Sequence, residues 1–494
     1  MRRPALALVL LLALAASGDA FGRAGGGNSF SGGSSSSGSS SGSSSSYGGS
    51  SSSDGDGGAL MVWLLFEHPT VGVPLILVFV GLTIYRKTRQ GEFAQRHVSR
   101  TERWEPPVPR GPEPVQLAAL LATDPGFSAP LFLDMARLVH TRAWQESRAL
   151  DVLAAYLAPG PRRTLEQFVG DGQISDVCIG AAQIAGVRLG EWQELTVRFT
   201  TNVVRTTKTG KSQQFARIES WRFGRRAGGV SLGPDRMQEL RCPSCGNPSE
   251  TRTNGTCTRC DQVVNDGRLM WIVRDIEVVS SEEVPRIALH LGGGVEPGTR
   301  IPTRPDPDLG IALRKLSVMQ PDFSVTAFRD RAKATFFTIQ EAWSAGRRED
   351  LRPLESDFLF QQHRYWLERY AREGMRNRCG SVSVSQLDFV KITIDGYVVA
   401  VTVRIFASMF DWTEDRSGQI VGGSQSEPRA FTEYWTFVRS VGAKPTQASG
   451  CPSCGAALDR VSEAGVCGYC EAKITSGTFD WVLNDIQQDE VWRG

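Results

Sequence analysis

Two clusters of four cysteines, built alike and far apart in the chain, constrain this sequence more than any other feature. Cys242, Cys245, Cys257 and Cys260 form the first; Cys451, Cys454, Cys467 and Cys470 form the second. Each opens with Cys-Pro-Ser-Cys-Gly, and a tryptophan (Trp271 or Trp481) follows eleven positions after each last cysteine. Two Cys-x-x-Cys knuckles on one hairpin bring four thiolates to tetrahedral positions about 2.3 Å from a Zn²⁺ ion. Gly246 and Gly455 suit the tight turn under the first knuckle. Four thiolates close the coordination shell and leave no place for water, so each of the two expected zinc ions is structural. None of His68, His97, His140, His290 and His363 adjoins either cluster. Ten cysteines in 494 residues are too sparse for a disulfide-stapled scaffold. Zinc ribbons are therefore expected at 242–260 and 451–470.

The ribbons are the end of a longer repeat. Pro125-Gly-Phe-Ser128 answers Pro321-Asp-Phe-Ser324, each ahead of a helical pattern. In the second copy Val325, Phe328, Ala332, Phe336, Ile339 and Trp343 recur at steps of three and four, an amphipathic stripe that Ser324 is placed to cap. Trp144 is read as the partner of Trp343. Strand-like segments follow in the same order: Leu195–Phe199 with Val401–Ile405, then Glu219-Ser-Trp-Arg-Phe223 with Glu433-Tyr-Trp-Thr-Phe437. After each ribbon, Trp271–Ile276 answers Trp481–Ile486. Matches of this kind in one order imply a tandem duplication. Each copy reads as helices, then an antiparallel sheet, which is an α+β architecture. A long first helix over a curved sheet would enclose an apolar pocket, or its Trp and Phe side chains would fill it. Copy one shows no evident counterpart of residues 357–372, the second helix of copy two.

Ahead of the repeat the chain changes character. Residues 1–20 have the basic start, short apolar run and small-residue Gly18-Asp-Ala20 end of a signal peptide. Residues 21–59, in which 29 of the 34 residues at 25–58 are Ser or Gly, are expected to be a disordered tether. Residues 60–85 are the candidate transmembrane helix, broken by Glu67, His68 and Pro69. Residues 86–114 form a basic and then Pro-rich juxtamembrane linker. Arg86, Lys87, Arg89, Arg96, Arg100 and Arg103 mark its start as the cytoplasmic side and offer contact with anionic lipid. This pattern predicts a single-pass protein of a bacterial inner membrane, N-terminus outside and folded domains in the cytoplasm. The copies then occupy 115–280 and 313–490, joined by a Gly/Pro-rich linker at 281–312.

Charge and motifs narrow the function. With 55 basic and 53 acidic side chains the net charge is +2, which argues against binding nucleic acid through bulk positive charge. Gly210-Lys211-Ser212 imitates the end of a phosphate-binding loop, but Arg205 stands where its first glycine belongs, so a hairpin turn is expected. His363 shares a helical face with Leu359, Trp366 and Tyr370 and reads as a packed histidine. Cys178 and Cys379 read as core or surface residues. No catalytic motif emerges, and a non-enzymatic protein is expected.

Copy two resembles the C-terminal domain of subunit 44 of the mitochondrial inner-membrane import translocase, in its bacterial membrane-anchored form. The resembling residues are Phe323-Ser324, Ala342-Trp343 with Asp350-Leu351, Glu433–Arg439 and Trp481–Ile486. That resemblance implies two tandem cone-shaped domains of the nuclear-transport-factor-2-like type, each here with an inserted zinc ribbon, after one transmembrane helix. It implies a membrane-proximal binding or scaffold role in protein transport or assembly, with protein partners left unnamed. The alternative on the same cone is a small-molecule or lipid binder, or an acid–base enzyme, with an apolar ligand in the pocket.

Overall fold

The computed structural model describes residue 24 and residues 117–284 and 294–492, apart from short gaps at 238, 248–250, 253, 444–449 and 490–491. The expected signal peptide, the span at 60–85 and the basic linker lie outside the described residues, as does the tether apart from Ala24. Among the described residues no helix is long and apolar enough to cross a membrane. The single-pass inner-membrane placement inferred from sequence is therefore not supported, and with it falls the transmembrane helix as part of the described fold. The apolar stretches that are described close on themselves as helix faces and strand faces.

The first half begins with α1 (Ala118–Thr123) and α2 (Ala129–Gln145), a 3₁₀ turn (Leu150–Leu153), and α3 (Pro159–Val169). Strands β1 (Gln173–Arg188), β2 (Trp192–Thr206) and β3 (Ser212–Arg226) follow. The short helix α4 (Pro234–Met237), the first cysteine cluster and β4 (Ile272–Glu283) complete it. The sheet order is β1-β2-β3-β4, all antiparallel. Leu195, Val197 and Phe199 alternate along β2 and are fully buried, the period of two that turns one face to the helices.

The second half repeats the plan. After the two-residue β5 (Gly294–Val295) come α5 (Leu309–Met319), α6 (Val325–Ala345), α7 (Arg348–Leu351) and α8 (Asp357–Arg372). Strands β6 (Met375–Ile394), β7 (Val398–Asp415) and β8 (Ile420–Ser440) precede the second cluster, and β9 (Val482–Gln488) returns to β8. The whole is mixed α+β with antiparallel sheets.

Two points differ from the sequence reading. Helix α3 takes the place in the first half that α8 takes in the second: Leu157 bridges Val273 just before α3, as Glu355 bridges Leu483 just before α8. Its Pro-Gly-Pro start and Gly170 end hide it in the sequence, although Pro161, Leu165 and Val169 form its buried face. Trp144 is also not the counterpart of Trp343. Counted from the capping serines, Trp144 lies level with Gln340, and Trp343 sits about one turn further along a longer helix. Phe336 takes the place of His140: His140 packs on Phe199 and Trp221, and Phe336 packs on Phe431 and Trp435.

Aromatic side chains fill the space between helix and sheet in both halves. Phe132 meets Phe223 and Trp271 edge-on at 5.5 and 5.3 Å, and Phe328 meets Phe437 and Trp481 at 5.4 and 5.1 Å. Such pairs contribute about 0.5–1.5 kcal/mol each beyond their buried area.

The halves pack against one another through β1 and α8. Cys178 of β1 lies in the core of the second half, where burial pushes its thiol up. Gln214 donates to the Tyr365 hydroxyl (2.6 Å) and Arg137 lies 3.8 Å above the ring of Phe358. Ser128 does two things: its hydroxyl accepts from Leu131 N–H as the α2 cap, and it donates to Asp395 of the other half at 2.7 Å. Ser324 only caps. Ser324→Ala is therefore expected to cost about 1 kcal/mol. Ser128→Ala is expected to cost about twice that, because Asp395 Oδ2 loses the Ser128 hydroxyl as well, while Oδ1 keeps the N–H groups of Tyr397 and Val398. Urea midpoints of the two variants check this.

Candidate metal centres and buried polar clusters

In each cluster the backbone prepares the sulfurs. Gly246 N–H donates to Cys242 O and Gly455 N–H to Cys451 O, both at 2.8 Å. These turns need the left-handed backbone, φ +73° at Gly246 and +76° at Gly455, which glycine adopts without steric cost. The second knuckles turn the same way at Asp261 and Glu471, with φ +54° and +60°. These non-glycine residues hold a conformation that the rest of the knuckle must impose.

The sulfurs of Cys242, Cys245, Cys257 and Cys260 lie within 4.8 Å of one another, as do those of Cys451, Cys454, Cys467 and Cys470. Cys242 and Cys260 are 3.8 Å apart, Cys451 and Cys470 3.8 Å, and Cys454 and Cys467 4.0 Å. A tetrahedral ion about 2.3 Å from each sulfur spaces the sulfurs about 3.8 Å apart, whereas a disulfide would bring two of them to about 2.05 Å. The donor set and its spacing fit a metal ion in each cluster. The backbone N–H of Gln262 draws the Cys260 thiol down to about 7, and that of Ala472 does the same for Cys470. In the same clusters Cys242 and Cys454 are pushed up to about 12, and the thiolate is the form that ligates a metal.

The two ribbons are mounted differently. Cys242, Cys257 and Val264 belong to the core of the first half, together with Met237 and Met270. The Tyr156 hydroxyl donates to the carbonyl of Arg241, and Arg236 donates to the carbonyls of Cys242 and Ser244 at 3.3 and 3.2 Å. Cys451, Cys467 and Ile474 instead form a small core of their own. That second ribbon is pinned by Arg352, which donates to Glu463 O and Glu355 O at 2.8 Å, to Thr475 Oγ1 at 3.0 Å, and to Asp357. Arg352→Met is expected to cost about 1.5–3 kcal/mol, the range for hydrogen bonds to charged groups. Hydrogen exchange should show residues 451–476 loosening first.

Sequence reasoning missed the polar groups inside the sheets. Glu219 and Glu433 hold the same register, opposite Phe199 and Ile405, and both are fully buried. Trp221 Nε1 donates to Glu219 at 3.0 Å and Trp435 Nε1 to Glu433 at 2.9 Å. Beyond that they diverge. Arg217 donates to Glu219 at 2.8 Å and His140 Nε2 lies 3.1 Å from it, whereas Gln488 donates to Glu433 at 3.0 Å. Burial alone would raise Glu219, but the hydrogen bond from His140 and the Arg217 guanidinium carry its carboxyl down to about 2. Burial holds His140 below its ordinary value, against the opposing pull of the Glu219 carboxylate. The visible signal was a glutamate two places before a tryptophan, in matching strands of both copies.

His363 is packed, as its helical face implies. It is also paired, with Nδ1 2.7 Å from Glu355 and the edge of Trp343 against its ring. The first half has Leu157 and Leu165 where the second has Glu355 and His363. Gly210 lies in the hairpin between β2 and β3, as expected, with no helix following it.

Neither buried pair opens onto either of two cavities in the fold. One, of about 760 Å³, lies between α8 and the ends of β1–β3, with Asp176, Lys211, Arg364 and Arg372 in its wall. The other, of about 360 Å³, lies between α6 and β6.

Residues 309–448, which run from α5 through β8, match the model of the Tim44-like domain family. No curated protein matches the chain.

Proposed function

We propose that this protein is a non-enzymatic binding or scaffold module serving protein transport or assembly, built from two tandem domains of the nuclear-transport-factor-2-like type. Each domain is stiffened by one structural zinc ion. The observation that carries the proposal is the Tim44-like match over 309–448. Two features support it. The metal-ligand clusters are all-thiolate and so offer no open coordination position for chemistry. The residues best suited to acid–base work, His140 with Glu219 and His363 with Glu355, are buried among aromatic rings away from both cavities. A group that substrate cannot reach packs the core instead. Partners are then held on outer surfaces, and their recognition does not require a change in the core.

The test is proximity labelling in cells from a tag at the C-terminus. The proposal expects protein-translocation or membrane-protein assembly components to be enriched over a matched control. Enrichment of metabolic enzymes alone, with no such component, would end it.

A further inference from the structure

The hairpin turn at Gly210-Lys211-Ser212 places Lys211 in the wall of the cavity of about 760 Å³ between α8 and the ends of β1–β3. Gly210 makes the turn with φ +79°, and Lys211 N–H donates to Thr207 Oγ1 at 3.2 Å. On the other side of the cavity α8 brings Arg364, Glu368 and Arg372, at steps of four along one helical face. We propose that this cleft binds an acidic peptide segment of a partner protein, with Lys211 and Arg372 meeting the partner's carboxylates.

The charges in the wall are unequally engaged. Glu368 pairs with Arg348 at 3.1 Å, Glu373 pairs with Arg369 at 3.0 Å, and Glu283 accepts from Gln213 at 3.3 Å. Asp176 accepts from Val177 N–H at 3.0 Å; it lies near Arg364 and Arg372 without pairing directly, and burial pushes its carboxyl up. The cations keep donors in hand. Among the described residues Lys211 Nζ and the Arg372 guanidinium make no hydrogen bond or ion pair, and both side chains are exposed. Arg364 donates to Gln361 at 2.7 Å and lies 4.0 Å from Glu463, which leaves its Nε without a partner. Arg369 is buried, and its Nη2 has no partner either. Three of the four acids are thus spoken for, while all four cations have unused capacity for a carboxylate.

The lining also says what kind of ligand suits it. Small-molecule pockets are mostly apolar, with a few placed polar groups. This cleft is walled by eight charged side chains and reaches solvent at Lys211 and Arg372. Separate exposed cations on opposite walls match a chain that carries several carboxylates better than one compact ligand. Lys211 belongs to the first half and Arg372 to the second, so neither copy alone forms the site. The proposal rests on the binding-module reading above and names the chemistry of one partner surface.

The experiment uses the full-length protein and a fluorescein-labelled peptide of alternating Glu and Gly, followed by anisotropy. Binding is expected at low salt and should weaken as salt is added. Lys211→Glu/Arg372→Glu is expected to weaken it about tenfold, from two lost pairs and two new repulsions, with an unchanged urea midpoint. Arg314→Glu/Lys315→Glu makes the same change of charge at exposed positions of α5, outside the cleft, and should leave affinity within about twofold. Asp176→Asn removes the unpaired acid and should tighten binding about threefold. No binding of the Glu peptide, equal binding of the matching Lys peptide, or equal losses in the two double variants would overturn the proposal. So would a single-stranded oligonucleotide that binds more tightly than the Glu peptide through Lys211 and Arg372. If the Glu peptide fails while proximity labelling still recovers transport components, this site is wrong and the binding-module reading stands.

Discussion

Replacing Cys257 by serine is expected to destabilise the first half by about 4 kcal/mol or more, while Cys467→Ser, the same change in the second ribbon, shifts the main unfolding transition by less than about 1.5 kcal/mol. Both variants lose an ion, because a site with three thiolates and a hydroxyl no longer matches the closed tetrahedral shell. The difference lies in what each ribbon is attached to. Cys242 and Cys257 are members of the main core of the first half, so the ribbon's collapse takes Val264 and the contacts of Met237 and Met270 with it. Cys451 and Cys467 share a core only with Ile474 and its immediate neighbours. Its loss is a local opening of residues 451–476, a separate cooperative unit. Urea unfolding followed by tryptophan fluorescence, paired with hydrogen exchange, separates the two cases. Equal losses in both variants would contradict this account of how the ribbons are mounted.

Glu219→Gln is expected to cost about 3–5 kcal/mol, the range for removing one member of a buried ion pair. Arg217 is itself buried and donates to Glu219 at 2.8 Å, so the amide leaves a guanidinium with no countercharge in the core. Trp221 keeps an oxygen to bond, which makes the loss one of charge and not of shape. The double variant Arg217→Met/Glu219→Leu is expected to recover much of the stability, since a packed apolar replacement of a buried pair is often neutral. Acid behaviour follows from the same groups. His140 is held below 6.5 in the fold, so its contribution is complete above pH 6.5 and is lost as pH falls below it. Glu219 is drawn from 4.5 to about 2, so its contribution is present above pH 4.5 and is lost as pH falls toward 2. Stability of the first half should therefore fall with acid in two stages, and the lower stage should be missing from Glu219→Gln. Unfolding curves collected from pH 7.5 to 3 read both.

What could be read from the sequence follows the range of the interactions involved. Metal-ligand chemistry is written in local spacing, so Cys242 to Cys260 and Cys451 to Cys470 were legible, as were the glycines under their first knuckles. The repeat was legible because its landmarks are large aromatic residues with few substitutes, such as Trp271 and Trp481. Helix α3 was not, because Pro159 and Pro161 read as breakers, although proline is tolerated in a helix's first turn. The pairing of Trp144 with Trp343 failed because α6 is a turn longer than α2, and residue identity gives no count of turns. The partners of Glu219 and Glu355 come from long-range packing: His140 lies on another element, and Glu355 meets His363 across the start of α8. The inference of a single membrane crossing rested on the apolar run at 60–85 and its basic flank, which lie outside the described residues, and among the described residues no helix is long and apolar enough to cross a membrane.

The central claim is a closed, metal-stiffened binding module, and native mass spectrometry of the full-length protein purified without added metal tests it most directly. The account predicts the mass of the chain plus two zinc ions, with all eight cluster thiols reduced and no further bound molecule. A metal-free chain with disulfides within the clusters, or a small molecule that co-purifies in stoichiometric amount, would contradict it.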